Sequence, residues 1–394
     1  METDTSRPAA VIFGAGSVGR GFLGQLFSES GYDVVFVDVD DALVTSLQQR
    51  GVYTLRLAGV VKVEERTIGP VRAVDGRDVD AVAREVAQAA VIATAVGARA
   101  LSAVAIPIAS GLERRWKTAD STPLNVIVCE NLHDAPGILN GHVAAALPQD
   151  QRGLLDGRVG FAPAVIARMS PVPTAEQRAV DPTLIVAEPY KILPVDEDAL
   201  VGEGLDVVGL MPVSPFEAYT DRKLYIHNAG HAILGYLGYQ AGHEYGYEAL
   251  DDPGVRSRLD QGLGEARRAL IAVYGFEPVA LQEHIDYLLV RFANRALGDP
   301  VARLARDPLR KLSPSDRLVG AARLAERNGI EPKGLAWGIA AALRYDNSDD
   351  GHAVRLQQQI ETEGIAHTLA TVCDIAPDEP LGKLVLARYY ELGT

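Results

Sequence analysis

Ala9-Ala10-Val11-Ile12-Phe13-Gly14-Ala15-Gly16-Ser17-Val18-Gly19 decides how this chain folds. A short apolar run, the pattern of a buried strand, leads into glycines at 14, 16 and 19. A helix-like stretch continues to Glu29, and the β-branched run Val34 to Val37 ends at Asp38. Strand, glycine turn, helix, strand is one βαβ unit. In G-x-G-x-x-G, Gly14 permits the tight turn, Gly16 lets backbone approach a pyrophosphate, and Gly19 lets helix pack on strand. The pyrophosphate would rest on unpaired N–H groups of the loop that carries Ser17 and Val18, at the start of the helix. Asp38 can accept hydrogen bonds from a ribose 2′-hydroxyl and would repel a 2′-phosphate, so the expected cofactor is NAD rather than NADP. The alternative is a tight βα turn that binds nothing.

Working outward, residues 90–95 and 125–129 are further buried-strand patterns with helical segments between them. Such alternation implies a parallel sheet covered on both faces. Thr94 and Val96 fall where the second pattern ends, the end of an open α/β sheet at which ligands lie. They either line the nicotinamide side or form an ordinary strand-to-helix turn. Residues 185–195 look like a last extended segment. From about Pro215 helical patterns dominate, over 218–241, 253–274, 281–292, 314–328, 334–344 and 351–362, with Pro300, Pro308, Pro332 and Pro377 as breakers. The expectation is an α/β, Rossmann-type doubly wound domain over 1–200 and a mostly α-helical domain over 201–394.

Composition narrows the function. The 394 residues carry a net charge of −14, which argues against nucleic acid or an anionic membrane as partner. A phosphorylated metabolite needs only a few local cations. Residues 89–112 are the most membrane-like, but Gly97, Arg99, Pro107 and Gly111 interrupt them, so they read as strand then helix. Residues 1–10 show no apolar signal segment, and Cys129 and Cys373 offer neither a disulfide framework nor zinc spacing. A cytoplasmic protein is expected. Lysine occurs only at 62, 117, 191, 223, 311, 333 and 383, with arginine the default cation. A lysine retained against that background invites a chemical reason.

The run Lys223-Leu224-Tyr225-Ile226-His227-Asn228-Ala229-Gly230-His231 supplies one. Oxidising an alcohol needs a base for the hydroxyl proton, donors for the developing alkoxide, and a hydride acceptor. On an α-helix, at about 100° per residue, His231 would lie about 80° and Asn228 about 140° from Lys223, on one broad face. Lysine would act as base once burial and a neighbouring positive charge had lowered its pKa. The alternatives are a snorkelling lysine on a packed helix, or a metal site through His227 and His231, with His243 beyond. Asn228 stands where a zinc helix would carry glutamate, so no metal is expected.

Segments 13–24, 94–97, 129–131, K-x4-N-x2-H over 223–231, 308–313 and 316–318 resemble the polyol-specific long-chain dehydrogenases, the mannitol dehydrogenase family. The likeness extends over nearly the whole chain, and the K-x4-N-x2-H run is a specific marker. A glycine motif so close to Met1 favours the shorter, phosphate-using branch. The resemblance implies Lys223 as general base, Asn131 and Asn228 as the oxyanion-stabilising pair, and His231 as a substrate ligand. It implies Arg303 and Lys311 as holders of the polyol chain. Arg310 is the candidate phosphate contact, ahead of Lys191 and Arg222, against the plain reading of structural or surface cations. The implied reaction is NAD-dependent, metal-free interconversion of mannitol 1-phosphate and fructose 6-phosphate. The partner is then a small sugar or polyol phosphate, and the protein a monomer or small homo-oligomer. Two departures bear on substrate. Ala167 replaces the family's usual aspartate, and residues 188–194, with Tyr190 and Lys191, lack the usual tryptophan. They keep two rivals open: a reductase of an unphosphorylated ketose or hexuronate, and a non-catalytic NAD-binding redox sensor.

Overall fold

The computed structural model describes residues 7–118, 122–171 and 173–393. Residues 1–6 of the polar N-terminal stretch lie outside them. The chain forms two compact units, Met1–Phe216 and Glu217–Thr394.

Strands in the first unit are β1 Ala9–Phe13, β2 Asp33–Asp38, β3 Tyr53–Ala58, β4 Val63–Ile68, β5 Val71–Asp75, β6 Ala89–Thr94, β7 Leu124–Val128, β8 Val159–Pro163, β9 Ile185–Ala187, β10 Leu193–Asp196 and β11 Leu210–Val213. Six make one parallel sheet in the order β5-β2-β1-β6-β7-β8. Alternate residues serve opposite faces. Ala10, Ile12, Val34 and Phe36 join one core with Phe22, Leu26 and Tyr53, whereas Val11, Phe13, Val35 and Val37 join another with Val82, Ile108 and Leu139. Burial on both faces is why these strands read as apolar runs without alternation. The chain leaves β1 toward β2 and β5, then returns to β6 on the other side of β1. The strand order therefore reverses between β1 and β6, where a crevice opens at the carboxyl ends of the strands.

A three-stranded sheet, β4-β3-β9, and a parallel pair, β10-β11, complete the unit. The single extended segment expected over 185–195 is two strands in different sheets, separated by Glu188 to Ile192. The buried carboxylate of Glu188 accepts from the Met169 N–H at 2.6 Å, and its carbonyl accepts from Arg168 Nε at 2.6 Å. These bonds hold the chain at the break. The expected boundary near 200 falls between β10 and β11, which pair with each other, and the units part later, at 216 and 217.

The second unit is helical. Helices Ala229–Gln240 and Lys333–Leu343 are buried on nearly every side. Their lack of a polar face marks them as the centre of the unit. Helix Pro253–Tyr274 packs beside both. Its buried Glu265 accepts the Gly334 and Leu335 N–H groups at 2.8 and 3.0 Å, capping the start of Lys333–Leu343. Trp337 lies between the guanidinium groups of Arg258 and Arg388, 4.0 and 4.7 Å from its ring centre. The helix expected to begin at 314 begins at Val319, after a turn. Helices Ile365–Cys373 and Pro380–Glu391 lie beyond the last helix expected from sequence.

Candidate active site

In the first unit the crevice between β1 and β6 is built from backbone. Gly14 has φ +93°, and a Cβ there would lie 2.4 Å from the Ala95 carbonyl oxygen. A Cβ on Gly19 would lie 1.9 Å from the Gly14 carbonyl oxygen, whereas one on Gly16 would meet nothing within 4 Å. Two glycines are thus fixed by the protein's own contacts, and the middle one faces open space, as a close-approaching ligand requires. Residues Gly19–Leu23 form a π turn before helix Gly24–Glu29, and Ser17 and Val18 are half-buried ahead of it. Asp38, at the end of β2, closes the loop. Its Oδ2 accepts from the Ala15 N–H at 2.6 Å, and its Oδ1 from Val39 and Asp40 at 2.7 and 3.0 Å. A cavity of about 330 Å³ opens beside it, lined by Gly14, Gly16, Asp38, Val39, Val96 and Val104 among others. An apolar cleft with a carboxylate at one wall and glycine backbone at another fits the ribose and pyrophosphate of NAD. That carboxylate would oppose a 2′-phosphate.

At the end of β6, Thr94 is fully buried and its hydroxyl has no hydrogen-bond partner among the described residues. The Val96 and Gly97 N–H groups both donate to Glu130, at 2.9 and 2.8 Å. Glu130 follows β7 and precedes the exposed Asn131, so one carboxylate ties the β6 loop to the residue before Asn131. Sequence reasoning gave Glu130 no role.

In the second unit, Lys223–Asn228 is a π turn between helices Phe216–Arg222 and Ala229–Gln240, with the Ala229 N–H reaching the Leu224 carbonyl. This corrects the uniform α-helix expected over 218–241. A wider turn advances fewer degrees per residue, so Asn228 stands nearer to Lys223 around the axis than the α-helical angle placed it. Single π turns inside helices recur at functional sites. Lys223 is half-buried, and its ammonium has no hydrogen-bond or ion-pair partner among the described residues. Desolvation, reinforced by the charge of Arg317, lowers its pKa to about 8. His231 stacks on Phe292 at 3.9 Å, and His227 meets both rings edge-on. Burial, with the charges of Arg303, Arg291, Lys311 and Arg317, pushes His231 well below its ordinary pKa. His227 is likewise lowered, by burial and then His231 and Arg291. Both imidazoles are neutral near pH 7. Among the described residues no group of three or more His, Cys, Asp or Glu side chains is placed to hold a metal ion.

The expected substrate cations differ in their surroundings. Lys311 is buried, with its ammonium donating to the Leu304 carbonyl and 5.4 Å from the Tyr236 ring centre. Burial, then Arg317 and Arg310, lowers its pKa to about 7. Arg303 is engaged by Asp299 through Nε at 2.7 Å. Arg310 lies half-exposed between Asp307, at 3.0 Å, and Asp316, at 3.6 Å. Lys191 pairs with Glu29 at 2.5 Å, and Arg222 lies 4.6 Å from the Tyr219 ring centre. Arg317 falls within the family-like segment 316–318 and had no role assigned from sequence. The structure brings its charge to bear on Lys223, His231 and Lys311 together. At the position of the family's aspartate, Ala167 precedes a buried Arg168, whose guanidinium donates to Gln25 Oε1 at 2.8 Å.

A dinucleotide-shaped crevice and an unpaired lysine held near neutrality define a dehydrogenase that works on carbinol carbons. Comparison with known proteins makes the assignment particular. Residues 8–208 match the model of the mannitol dehydrogenase Rossmann domain and residues 215–379 that of the mannitol dehydrogenase C-terminal domain, and the chain belongs to this family. It is 39% identical over 380 residues to mannitol-1-phosphate 5-dehydrogenase of Bacillus licheniformis, covering 96% of this chain and 99% of that one. It is 37% identical over 388 residues to the enzyme of the same name from Geobacillus thermodenitrificans, covering 97% and 98%. Its fold is shared with Pseudomonas fluorescens mannitol 2-dehydrogenase, solved with NAD and D-mannitol, at TM-score 0.74 and 17% identity, covering 98% of this chain and 91% of that one. A D-sorbitol dehydrogenase matches at TM-score 0.79 and 18% identity, covering 98% and 93%.

Proposed function

We infer that this chain is an NAD-dependent oxidoreductase that interconverts mannitol 1-phosphate and fructose 6-phosphate. The observation that carries the chemistry is Lys223, half-buried, without a partner among the described residues, and with a pKa lowered to about 8. Such a lysine can exchange a proton with a hydroxyl near neutrality.

NAD, when bound, would supply the acceptor for hydride from the carbinol carbon. When the polyol phosphate is oxidised, neutral Lys223 takes the hydroxyl proton. In the reverse direction its ammonium returns that proton to the carbonyl oxygen. Asn131 and Asn228 donate N–H groups to the oxygen as charge develops on it, and neither amide titrates. His231, held neutral and fixed by stacking on Phe292, orients the substrate through a ring nitrogen. Gly14, Gly16, Ser17, Val18 and Gly19 would hold the pyrophosphate and Asp38 the ribose; Val96 would line the nicotinamide side, where the fully buried Thr94 offers no surface. Lys311 and Arg303 would hold the polyol chain. Proton transfer through lysine asks nothing of a metal ion.

The net charge of −14 and an anionic substrate support a small-molecule partner rather than nucleic acid. No helix among the described residues is long and apolar enough to cross a membrane. The phosphorylated substrate and two free, buried cysteines support a cytoplasmic setting, with the protein a monomer or small homo-oligomer.

The test is NADH consumption with fructose 6-phosphate and with fructose, in the presence of a chelator. Turnover confined to the phosphate ester is the expected result. Equal or better turnover of fructose would replace this reading with a dehydrogenase of free polyols. Tight NADH binding without turnover of any ketose would leave a cofactor-binding sensor.

A further inference from the structure

Resting on the reading above, we propose that Arg317 is the arginine that takes the phosphate of the substrate and sets the preference for phosphorylated over free ketose. Arg310, the choice from sequence, is poorly suited. It lies between Asp307 and Asp316, and a third anion there would have to displace or face two carboxylates.

Arg317 is held differently. Its Nε donates to Asp316 Oδ1 at 2.7 Å, and the same oxygen accepts the Arg317 backbone N–H at 2.6 Å. This pair of hydrogen bonds to one carboxylate oxygen anchors the base of the guanidinium. The two terminal nitrogens have no hydrogen-bond partner among the described residues, and the side chain is only 12% exposed. A fork fixed at its root and open at its tips can give two parallel N–H bonds to a tetrahedral oxyanion.

The residues that follow Arg317 pack against the lysine turn and the helix after it. Just after the turn that carries Arg317, a Cβ on Gly320 would lie 3.0 Å from the Tyr225 ring, inside Lys223–Asn228. The neighbouring Leu318 meets Gly338 alongside Ile233, two residues after His231. The charge of Arg317 also helps to lower the pKa of Lys223, His231 and Lys311. Lys311 donates to a carbonyl and Arg303 to Asp299, whereas both terminal nitrogens of Arg317 are without a partner among the described residues.

The experiment compares wild type, Arg317→Ala, Arg317→Lys and Arg310→Ala. Steady-state kinetics are measured on fructose 6-phosphate and fructose, together with NADH affinity by fluorescence and binding of inorganic phosphate by calorimetry. Arg317→Ala is expected to raise KM for fructose 6-phosphate about 50-fold or more, leave any activity on fructose within about threefold, and abolish phosphate binding. Arg317→Lys should recover part of the affinity as a point charge, and Arg310→Ala should change KM less than about threefold. An equal loss on both substrates would overturn the proposal and make Arg317 a residue that only tunes Lys223. A larger KM effect at Arg310 would overturn it in favour of that side chain. If Arg317→Ala does not fold, retention of the full wild-type KM by Arg317→Lys would also overturn it. Wild-type protein with no preference for the ester would instead sink the reading on which the proposal rests.

Discussion

On the proposed mechanism, turnover depends on Lys223. Replacing it with alanine removes a positioned acid–base group, and kcat should fall about 10²- to 10⁴-fold while NADH affinity is retained. Its pKa near 8 fixes the sign of the pH dependence. Oxidation of the polyol phosphate needs neutral lysine, so its rate should climb with pH through about 8 and then level. Reduction of the ketose needs the ammonium, so its rate should fall above about 8. His227 and His231 are already neutral at pH 7, so no inflection should appear near 6.5 in either direction. A pH–rate profile taken both ways checks all three points. The lowered pKa also touches stability. Between about 8 and 10.5 the unfolded chain binds a proton at Lys223 that the native protein does not, so this lysine makes stability rise with pH across that window.

Between residues and molecule stand the loops and turns that carry the site. Gly14 combines a left-handed φ with a close carbonyl, so Gly14→Ala meets backbone strain of about 1–3 kcal/mol as well as a steric conflict. It should weaken NADH binding at least about 100-fold and lower Tm, read by fluorescence titration and thermal melting. This loop was legible in sequence because each glycine answers to one steric demand. The six sheet strands were partly legible for the same kind of reason: burial on both faces leaves apolar runs at β1, β2, β6 and β7. Strand β4 was not, since Val63–Ile68 lies at the edge of its sheet and is largely charged and exposed. The π turn at Lys223–Asn228 was also hidden. Hydrogen bonds to i+5 instead of i+4 ask for no particular residue type, so α-helical spacing set Asn228 too far around the axis from Lys223. Arg317 is proposed over the Arg310 expected from sequence for a spatial reason. Which arginine is free depends on where Asp307 and Asp316 fall, and no local pattern reports that. Helix Pro380–Glu391 did leave a sign, a proline at its first position after Glu379, that could have been used.

At the scale of the molecule, two units divide the chemistry. The first holds the dinucleotide crevice, and the second holds the lysine turn and its cations. The division was visible in sequence as a change from alternating strands and helices to helices alone. Its position was harder to see, because β10 and β11 are short and their partnership runs across the expected boundary. The overall negative charge coexists with a local cluster of cations in the second unit, so a phosphorylated substrate is recognised by placement and not by net attraction.

The stacking of Trp337 between Arg258 and Arg388 has a spectroscopic consequence. The chain has two tryptophans, Trp116 in the first unit and Trp337 in the second, so each unit carries one indole of its own. Trp337→Phe should leave emission that reports on the first unit alone, and Trp116→Phe emission that reports on the second. In wild type the guanidinium sandwich should come apart on denaturation, shifting the Trp337 emission to the red. Urea titrations of the two variants would then show whether the halves melt together or in sequence. Coincident midpoints would mean that cofactor-binding and proton-handling parts are one cooperative unit, and separate midpoints would rank them by stability without cutting the chain.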